Sequence, residues 1–246
     1  PVILNSYTTD FNIDAVAMFN QYLIYGDRDG NITILDTENV YALEQVSSIN
    51  LGLGSTIWEL KTTENTIDAL QLYPSKYHKL EFSDNTLFHL GEIEINESYG
   101  FARSGDYIYI PTEVVRHDIY SPVSSSEIIS ENGWSPSEVS LFDAEVLGDH
   151  LYVSSYFGYN VYNLENNSTQ FEVTSVNNID GSASDIVVSE SVLIVNSNIE
   201  NSIKIFSQLN GELVERSEIV NQNVNAINGL YYKGNNLFMI SGNRII

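Results

Sequence analysis

The feature that most constrains the fold is a sequence pattern that recurs about every forty-two residues. Each copy contains a short apolar run, a turn rich in Gly, Asn or Asp, a run of Tyr, Leu, Ile or Val, and a second alternating run after a polar turn. The clearest copies are residues 13–36, 142–164, 184–206 and 228–246, and weaker copies are 58–82 and 99–120. The chain is therefore predicted to be a repeat protein.

The spacing of the copies identifies the architecture. We call the residue five places before each first turn the reference position of its copy. The reference positions are 45, 41, 43, 42 and 44 residues apart: Asp14, Glu59, Gly100, Asp143, Asp185 and Gly229. Each copy holds strands of about 5–9 residues that alternate apolar and polar residues, and long helical periodicity is missing. Four short strands per forty-odd residues are typical of one blade of a β-propeller.

We therefore predict a single all-β domain, a six-bladed β-propeller with four-stranded antiparallel blades. The predicted blades are residues 12–52, 53–96, 97–138, 139–180, 181–222, and 223–246 together with 1–11. The last copy stops after its second strand and the start of a third. We expect residues 2–7 to supply its outer strand and close the ring, which would pair edges that are otherwise exposed.

Composition excludes several classes of partner. The 246 residues include 33 acidic and 10 basic residues, a net charge of −23. Such a surface repels nucleic acid and anionic lipid, so we expect neither as a partner. No apolar stretch approaches the about 20 residues of a membrane span, so membrane insertion is not expected. There is no cysteine, which rules out disulfides and thiolate metal sites.

The expected location is extracellular or periplasmic. The chain begins at Pro1 rather than at Met, which is typical of a processed, exported bacterial protein. We expect a monomer whose partner is a protein or a polysaccharide.

Several copies resemble known propeller repeats. Residues 228–246 (NGLYYKGNNLFMISGNRII) and 184–213, which ends in Asn-Gly-Glu-Leu, resemble NHL-type blades. Residues 22–36 (YLIYGDRDGNITILD) are similar to LVIVD-type and YncE-type repeats. The resemblance implies a protein-interaction scaffold or an extracellular binding module. The six-bladed relatives of these families include calcium-dependent lactonases and esterases of the gluconolactonase and paraoxonase type, so the resemblance more distantly implies such an enzyme.

The reference positions of the repeat predict an acidic ring at the mouth of a central channel. Asp14, Glu59, Asp143 and Asp185 would lie at one level, where Ca²⁺ would relieve the repulsion between their carboxylates. The alternative is that water solvates these acids or that backbone N–H groups of neighbouring blades bind them. Gluconolactonase-like enzymes hold calcium with Glu, Asn and Asp at comparable positions. Glu59, Asp143 and Asp185 match in residue type, whereas the expected Asn residues are largely absent.

The loops on the same face predict a ligand-binding surface. Aromatic and amide side chains there would suit a glycan or an extended peptide: Trp134, Tyr156, Phe157, Tyr159 and Asn228. The oxygen-rich segment 27–31 could bind calcium, but its Asp-Gly-Asn sequence favours a hairpin turn between two strands. The four histidines lack metal-ligand spacing and are predicted to lie on the surface or on strand faces: His78, His89, His117 and His150.

Three functions remain open at this stage. The first is a non-enzymatic binding module that presents a loop-rich face to a protein or polysaccharide. The second is a calcium-dependent hydrolase or lactonase at the channel mouth, for which the possible cofactor is Ca²⁺. The third is a structural module of a larger surface protein. No catalytic residues are predicted.

Overall fold

The computed structural model describes most of the repeat units. The described residues are 7, 9–39, 41–63, 66–95, 98–104, 107–112, 116–124, 127–134, 141–155, 158–164, 173–178, 183–189, 192–197, 202–209, 212–220, 229–233, 236–241 and 244–245. All elements in these ranges are β-strands. No described segment forms a helix with the length and apolar character that crossing a membrane requires.

The strands of the first half form three four-stranded sheets. Sheet 1 contains β1 (Ile13–Phe19), β2 (Tyr22–Asp27), β3 (Asn31–Asp36) and β4 (Glu44–Asn50). Sheet 2 contains β5 (Thr56–Thr62), β6 (Thr66–Leu72), β7 (Lys76–Ser83) and β8 (Thr86–Glu94). Sheet 3 contains β9 (Ala102–Ser104), β10 (Tyr107–Thr112), β11 (Arg116–Ser124) and β12 (Glu127–Trp134).

The strands of the second half form three further sheets. Sheet 4 contains β13 (Leu141–Leu147), β14 (His150–Ser155), β15 (Gly158–Asn163) and β16 (Val173–Asn178). Sheet 5 contains β17 (Ala183–Ser189), β18 (Val192–Ser197), β19 (Ser202–Leu209) and β20 (Glu212–Val220). Sheet 6 contains β21 (Gly229–Lys233), β22 (Asn236–Ser241) and β23 (Arg244–Ile245).

Each sheet is an antiparallel meander in which consecutive strands pair. The register runs from the first strand outwards, as in sheet 1, where Tyr25 pairs with Val16 on one side and Thr33 on the other. Tight turns that the sequence predicts join these strands, for example residues 28–30 between β2 and β3. The predicted all-β class is confirmed, and five of the six described sheets have the predicted four antiparallel strands.

The core lies between the faces of neighbouring sheets. Ile24 and Ile34 of sheet 1 pack with Ile57, Leu60 and Ile67 of sheet 2, and all five are buried. The central strands are apolar on both faces because each sheet is covered on both sides, which explains the continuous apolar run of β2. Burial of apolar area between sheets is therefore the main source of stability.

Sheets 2 and 3 also share a buried polar contact. Asp68 is fully buried and accepts hydrogen bonds from the Tyr77 hydroxyl at 2.7 Å and from Arg103 Nη1 at 2.7 Å. Arg103 belongs to β9, so its guanidinium links the two sheets across their interface. Both bonds stabilise the buried carboxylate, which would otherwise be costly to desolvate.

The first strands of the sheets lie beside one another. β1 contacts β5, β9 contacts β13, β13 contacts β17, and β17 contacts β21. β21 in turn contacts β1, and the Tyr231 hydroxyl donates a hydrogen bond to the Met18 carbonyl at 3.4 Å. The N–H of Phe101, just before β9, binds Glu59 of β5. Each first strand is therefore connected to the first strand of the next sheet, and four of these strands carry the predicted acidic ring.

Candidate functional site: acidic residues on the first strands

Irregular pairing at the start of four first strands positions the predicted acidic ring. Each of these strands has a register shift in its pairing with the second strand. In β1 and β13 the shifted segment includes Asp14 and Asp143, and in β5 and β17 it ends directly before Glu59 and Asp185. An extra residue in one strand of a pair turns the neighbouring side chains in a new direction. The acids of the repeat therefore coincide with a recurring local distortion.

Asp14 forms a bidentate ion pair with Arg28. Arg28 Nε lies 2.7 Å from Oδ2 of Asp14, and Arg28 Nη2 lies 2.9 Å from Oδ1. The side chain of Asp14 is 2% exposed and that of Arg28 is 48% exposed. The hydrogen bond to Asp14 raises the pKa of Arg28. Both oxygens of Asp14 are therefore bound by a cation that the chain itself supplies.

Glu59 belongs to a charged cluster centred on Lys61. Lys61 Nζ lies 2.8 Å from Oε1 of Glu59, 2.9 Å from Oε1 of Glu145 and 2.8 Å from the carbonyl oxygen of Ala144. The second oxygen of Glu59 accepts a hydrogen bond from the backbone N–H of Phe101 at 2.7 Å. The ammonium of Lys61 also lies 5.2 Å from the centre of the Phe101 ring.

Burial dominates the electrostatics of this cluster. It raises the pKa of Glu59 well above its usual range, and the nearby charge of Asp143 raises it further. Burial also raises the pKa of Glu145 to about 7, although Lys61 opposes the shift. Burial by itself lowers the pKa of Lys61, but Glu145, Glu59 and Asp143 together raise it above its usual value. Lys61 therefore stays protonated between Glu59 and Glu145, two carboxyl groups with raised pKa values.

Backbone N–H groups bind both oxygens of Asp143. Oδ1 accepts a hydrogen bond from the N–H of Ala144 at 2.7 Å, and Oδ2 accepts one from the N–H of Ile186 at 3.0 Å. The carboxylate fills the space beside Gly100, where an added Cβ would lie 2.2 Å from Oδ1. Gly100 replaces an acid at this position of the repeat because its neighbour's carboxylate occupies the volume that a side chain would need.

Two of these contacts connect a carboxylate to a backbone N–H group one repeat further along the chain. Glu59 binds the N–H of Phe101, 42 residues further along, and Asp143 binds the N–H of Ile186, 43 residues further along. Each carboxylate therefore connects its own sheet to the next, one repeat ahead. From the sequence, the acids could bind calcium, water or backbone N–H groups of neighbouring blades, and these two contacts are with backbone N–H groups.

The four predicted calcium ligands do not form one cluster of ligand atoms. Asp14 binds Arg28, whereas Glu59 and Asp143 lie close enough to influence each other electrostatically. Among the side chains that the structure describes, the one group of three or more potential ligands whose atoms lie within 4.8 Å of one another is on sheet 2, away from this ring. The side chain of Asp185 lies outside the described residues, although its backbone pairs with Asn196.

The predicted ligand-binding residues lie mostly outside the described part of the chain. Tyr156, Phe157 and Asn228 fall outside it altogether. Tyr159 is in β15 opposite Ser154, and its side chain is not described. Trp134 is the last residue of β12, so this strand continues into the segment that the sequence assigns to a loop.

The oxygen-rich turn after β2 is held by its own hydrogen bonds. Oδ1 of Asp27 accepts hydrogen bonds from the N–H groups of Asp29 at 2.9 Å and Asn31 at 3.0 Å. Its Oδ2 accepts one from Nδ2 of Asn31 at 3.0 Å. This arrangement is an Asx-type turn that closes the hairpin, in agreement with the turn predicted from the sequence.

His78 and His89, whose sequence spacing predicts no metal site, lie close together on sheet 2. His78 Nδ1 lies 3.1 Å from His89 Nε2, and Oε2 of Glu92 lies 3.5 Å and 4.0 Å from these two atoms. Of the two predicted places, surface or strand face, His78 occupies a strand face: it lies on β7 and is fully buried, and burial lowers its pKa to about 4. The spacing of 11 residues gives no sign of this cluster unless the hairpin register is known.

Three exposed apolar side chains lie at one end of sheets 1 and 2. Leu53 is 85% exposed, Tyr73 is 66% exposed and Phe11 is 44% exposed. Thr56 pairs with Leu72, so Leu53 and Tyr73 flank the same end of sheet 2. Phe11 precedes β1 at the end where the β2–β3 turn lies, since Arg28 N–H binds the carbonyl of Asn12. We call Phe11, Leu53 and Tyr73 the apolar tips.

The loop that carries Leu53 is tied down on both sides. The N–H of Leu51 binds the carbonyl of Gly30 at 2.9 Å, and Nδ2 of Asn50 binds the carbonyl of Asp29 at 2.7 Å. On the other side, the N–H and Oγ of Ser55 both bind the carbonyl of Gly52. Leu53 is therefore an exposed apolar side chain on a backbone that its neighbours hold in place.

Comparison with known proteins identifies the chain by its fold. The described sheets define an all-β, β-propeller-like protein. No protein-family model matches the chain, and its sequence matches no curated protein.

Three solved structures illustrate the similarity. A Bacteroides fragilis protein provisionally assigned as a 6-phosphogluconolactonase is 14% identical, with a TM-score of 0.65 over 83% of this chain and 69% of that one. The computationally designed protein Ika8 is 13% identical, with a TM-score of 0.62 over 95% of this chain and 70% of that one. Sqt1 of Saccharomyces cerevisiae is 8% identical, with a TM-score of 0.61 over 95% of this chain and 81% of that one. At these identities the similarity concerns the fold alone. The resemblance of single repeats to NHL-type and LVIVD-type blades is not supported by any matching family model.

Proposed function

We propose that the protein is a non-enzymatic binding module, a six-bladed propeller that docks a partner protein on the face carrying the apolar tips. The observation that carries this proposal is that its own side chains and backbone already bind the described acids of the ring. Arg28 binds both oxygens of Asp14, and N–H groups bind both oxygens of Asp143. Asp143 in this way connects sheet 4 to sheet 5, whereas Asp14 is neutralised within its own sheet.

The blade count and the closure of the ring belong to the same proposal. Support comes from six sheets, from the contacts or hydrogen bond that connect each first strand to the next, and from the contact between β21 and β1. Sheet 6 has three described strands where the others have four, which leaves room for one more strand. Residues 2–7 would fill that place, and Tyr7 lies 6.0 Å from Tyr25 between ring centres.

The apolar tips support a protein as the partner. Tyrosines such as Tyr73 are enriched in interface hot spots, and the backbone around Leu53 is already held in place, so ordering it on binding costs little entropy. Phe11 and Tyr73 could stack on a sugar, but Leu53, the most exposed of the three, offers no ring and favours a protein. With a net charge of −23, the module favours a partner whose apolar patch is flanked by Lys and Arg. An exported location and a monomeric state are part of this proposal.

The test uses a photo-crosslinking amino acid placed at Leu53, with Val214 as a matched control. Val214 is also an exposed apolar residue, but it lies on β20 of sheet 5. We expect a crosslink to one protein from the source organism's secreted fraction at Leu53 alone. Excess wild-type protein should compete for it, and excess Leu53→Asp should not.

Other outcomes would count against the proposal. Equal crosslinking at Leu53 and Val214 would show that the apolar tips do not dock a partner. Binding to purified polysaccharides that Leu53→Asp weakens, without any protein crosslink, would change the partner class. Hydrolysis of lactones that depends on Ca²⁺ and on Glu59 would replace the binding module with the hydrolase.

A further inference from the structure

We propose that His78, His89 and Glu92 form a binding site for Zn²⁺ or a similar divalent transition metal on sheet 2. The three ligand atoms are Nδ1 of His78, Nε2 of His89 and Oε2 of Glu92, separated by 3.1, 3.5 and 4.0 Å. Zinc bonds of about 2.0–2.1 Å at tetrahedral angles place ligand atoms roughly 3.3–3.4 Å apart. The observed separations lie on both sides of that value.

A bulge in the β7–β8 hairpin brings the ligands to one face. His78 pairs directly with Glu92, and cross-strand partners share a face of the sheet. His89 and Glu92 are three residues apart and would face opposite sides of a regular strand. Lys79 pairs with Gly91 whereas Leu80 pairs with His89, so β8 contains one extra residue between His89 and Glu92. That extra residue restores both side chains to the same face.

A buried hydrogen bond orients His78 as a metal ligand. Nε2 of Gln71 donates to the carbonyl of Pro74 at 3.2 Å, which directs the Gln71 carbonyl oxygen towards His78. That oxygen lies 3.1 Å from Nε2 of His78, so Nε2 must carry the proton. The lone pair of Nδ1 therefore faces His89 and Glu92. A second partner that fixes the ring and its tautomer is typical of metal-binding histidines.

The surroundings allow an ion to enter and bind. The side chains of His89 and Glu92 are 32% and 40% exposed, so a fourth position remains open to water. Lys76 pairs with Oε1 of Glu92, which leaves Oε2 for a metal. Glu94 also lies close enough to Lys76 to raise its pKa and can hold the ammonium when a metal binds Glu92.

The ligand set indicates the class of metal. Two imidazoles and one carboxylate suit Zn²⁺ and its first-row neighbours, whereas Ca²⁺ prefers six to eight oxygen ligands. The site is separate from the acidic ring, because β7 and β8 are the third and fourth strands of sheet 2, whereas Glu59 lies on the first strand, β5. It also lies next to the β6–β7 turn, since Gln71 connects His78 with Pro74.

The test measures Zn²⁺ binding to chelator-treated, untagged protein by isothermal titration calorimetry. We expect one equivalent to bind, and we expect His89→Ala and Glu92→Gln to weaken the affinity by more than tenfold. Gln71→Leu, which removes the orienting bond, should weaken it by about 10–100-fold. His150→Ala is the matched control, because His150 is a partly exposed histidine on sheet 4, and its affinity should equal that of the wild type.

Co²⁺ supplies a second readout. The wild type should show the intense visible d–d absorption of four-coordinate cobalt, and His89→Ala should lose it while keeping the wild-type circular dichroism spectrum. Because both ligands to be replaced are on the surface, these variants should fold. Absence of stoichiometric binding, or binding that His89→Ala leaves unchanged, would overturn the proposal. So would an equal loss in His150→Ala.

Discussion

Replacing Lys61 with Met should destabilise the protein in a manner that depends on pH. Lys61 is the cation between Glu59 and Glu145, and the three side chains are 17%, 18% and 23% exposed. Met keeps most of the volume of the lysine stem but removes its charge. The carboxylates then remain at an interface between sheets without their counter-charge.

The magnitude follows from two contributions. Loss of the ammonium's hydrogen bonds costs about 1–2 kcal/mol at any pH. The variant also raises the pKa of Glu145 beyond its wild-type value of about 7, because Lys61 lowers that pKa in the wild type. A carboxyl whose folded pKa exceeds its unfolded value destabilises the folded state as pH rises from the unfolded to the folded pKa. Removing Lys61 extends that loss above pH 7.

Each pKa unit corresponds to about 1.4 kcal/mol, so two further units of pH add up to about 3 kcal/mol. We therefore expect Lys61→Met to cost about 1–2 kcal/mol at pH 6 and about 4 kcal/mol at pH 9. The larger value agrees with the about 3–5 kcal/mol that loss of one partner of a buried ion pair costs.

Urea unfolding at pH 6 and pH 9, followed by tryptophan fluorescence in buffer with EDTA, measures both values. Lys76→Met is the control, because Lys76 pairs with Glu92, which is 40% exposed, and such surface pairs contribute about 1 kcal/mol or less. A cost below about 1 kcal/mol for Lys61→Met at pH 9, or equal costs at the two pH values, would refute the role assigned to this cluster.

The remaining predictions concern the same interfaces and the closure of the ring. Burial raises the pKa of Glu145 from 4.5 to about 7, so the wild type should lose on the order of 3 kcal/mol of stability as the pH rises from 4.5 to 7. Glu145→Gln should lack this loss, and a pH series of urea midpoints checks this. Gly100→Ala should cost about 1–3 kcal/mol, since its Cβ would lie 2.2 Å from Oδ1 of Asp143, and an unchanged thermal midpoint would contradict that contact. Deleting residues 2–7 should lower the melting temperature if they complete the last blade, and calorimetry showing no change would disprove ring closure by these residues.

The repeat made much of the fold predictable from the sequence. Alternation of apolar and polar residues identified the strands, and turn residues such as Gly30 and Asn31 identified the hairpins. The reference positions also located Asp14, Glu59 and Asp143 on first strands. These successes share a cause, since short-range patterns determine strands and turns.

The partners of these acids could not be predicted in the same way. Glu145 lies 84 residues from Lys61, and only the tertiary structure brings the Lys61 side chain of β5 to β13. The pairing of Asp14 with Arg28 depends on the direction given by a bulge in β1. The two histidines of sheet 2 meet because of one extra residue in β8, a shift that alternation alone does not reveal. Contacts across sheets and at bulges need the register, which a single sequence leaves open.

The role of the acidic ring is tested most directly by a calcium titration of the chelated protein. Thermal unfolding would be recorded with EDTA and then with saturating Ca²⁺, for the wild type and for Glu59→Gln. We expect the melting temperature of the wild type to be the same in both conditions, because Arg28, Lys61 and backbone N–H groups already bind the described acids. A calcium-dependent rise in the melting temperature that Glu59→Gln abolishes would contradict the binding-module proposal and favour the calcium-dependent hydrolase.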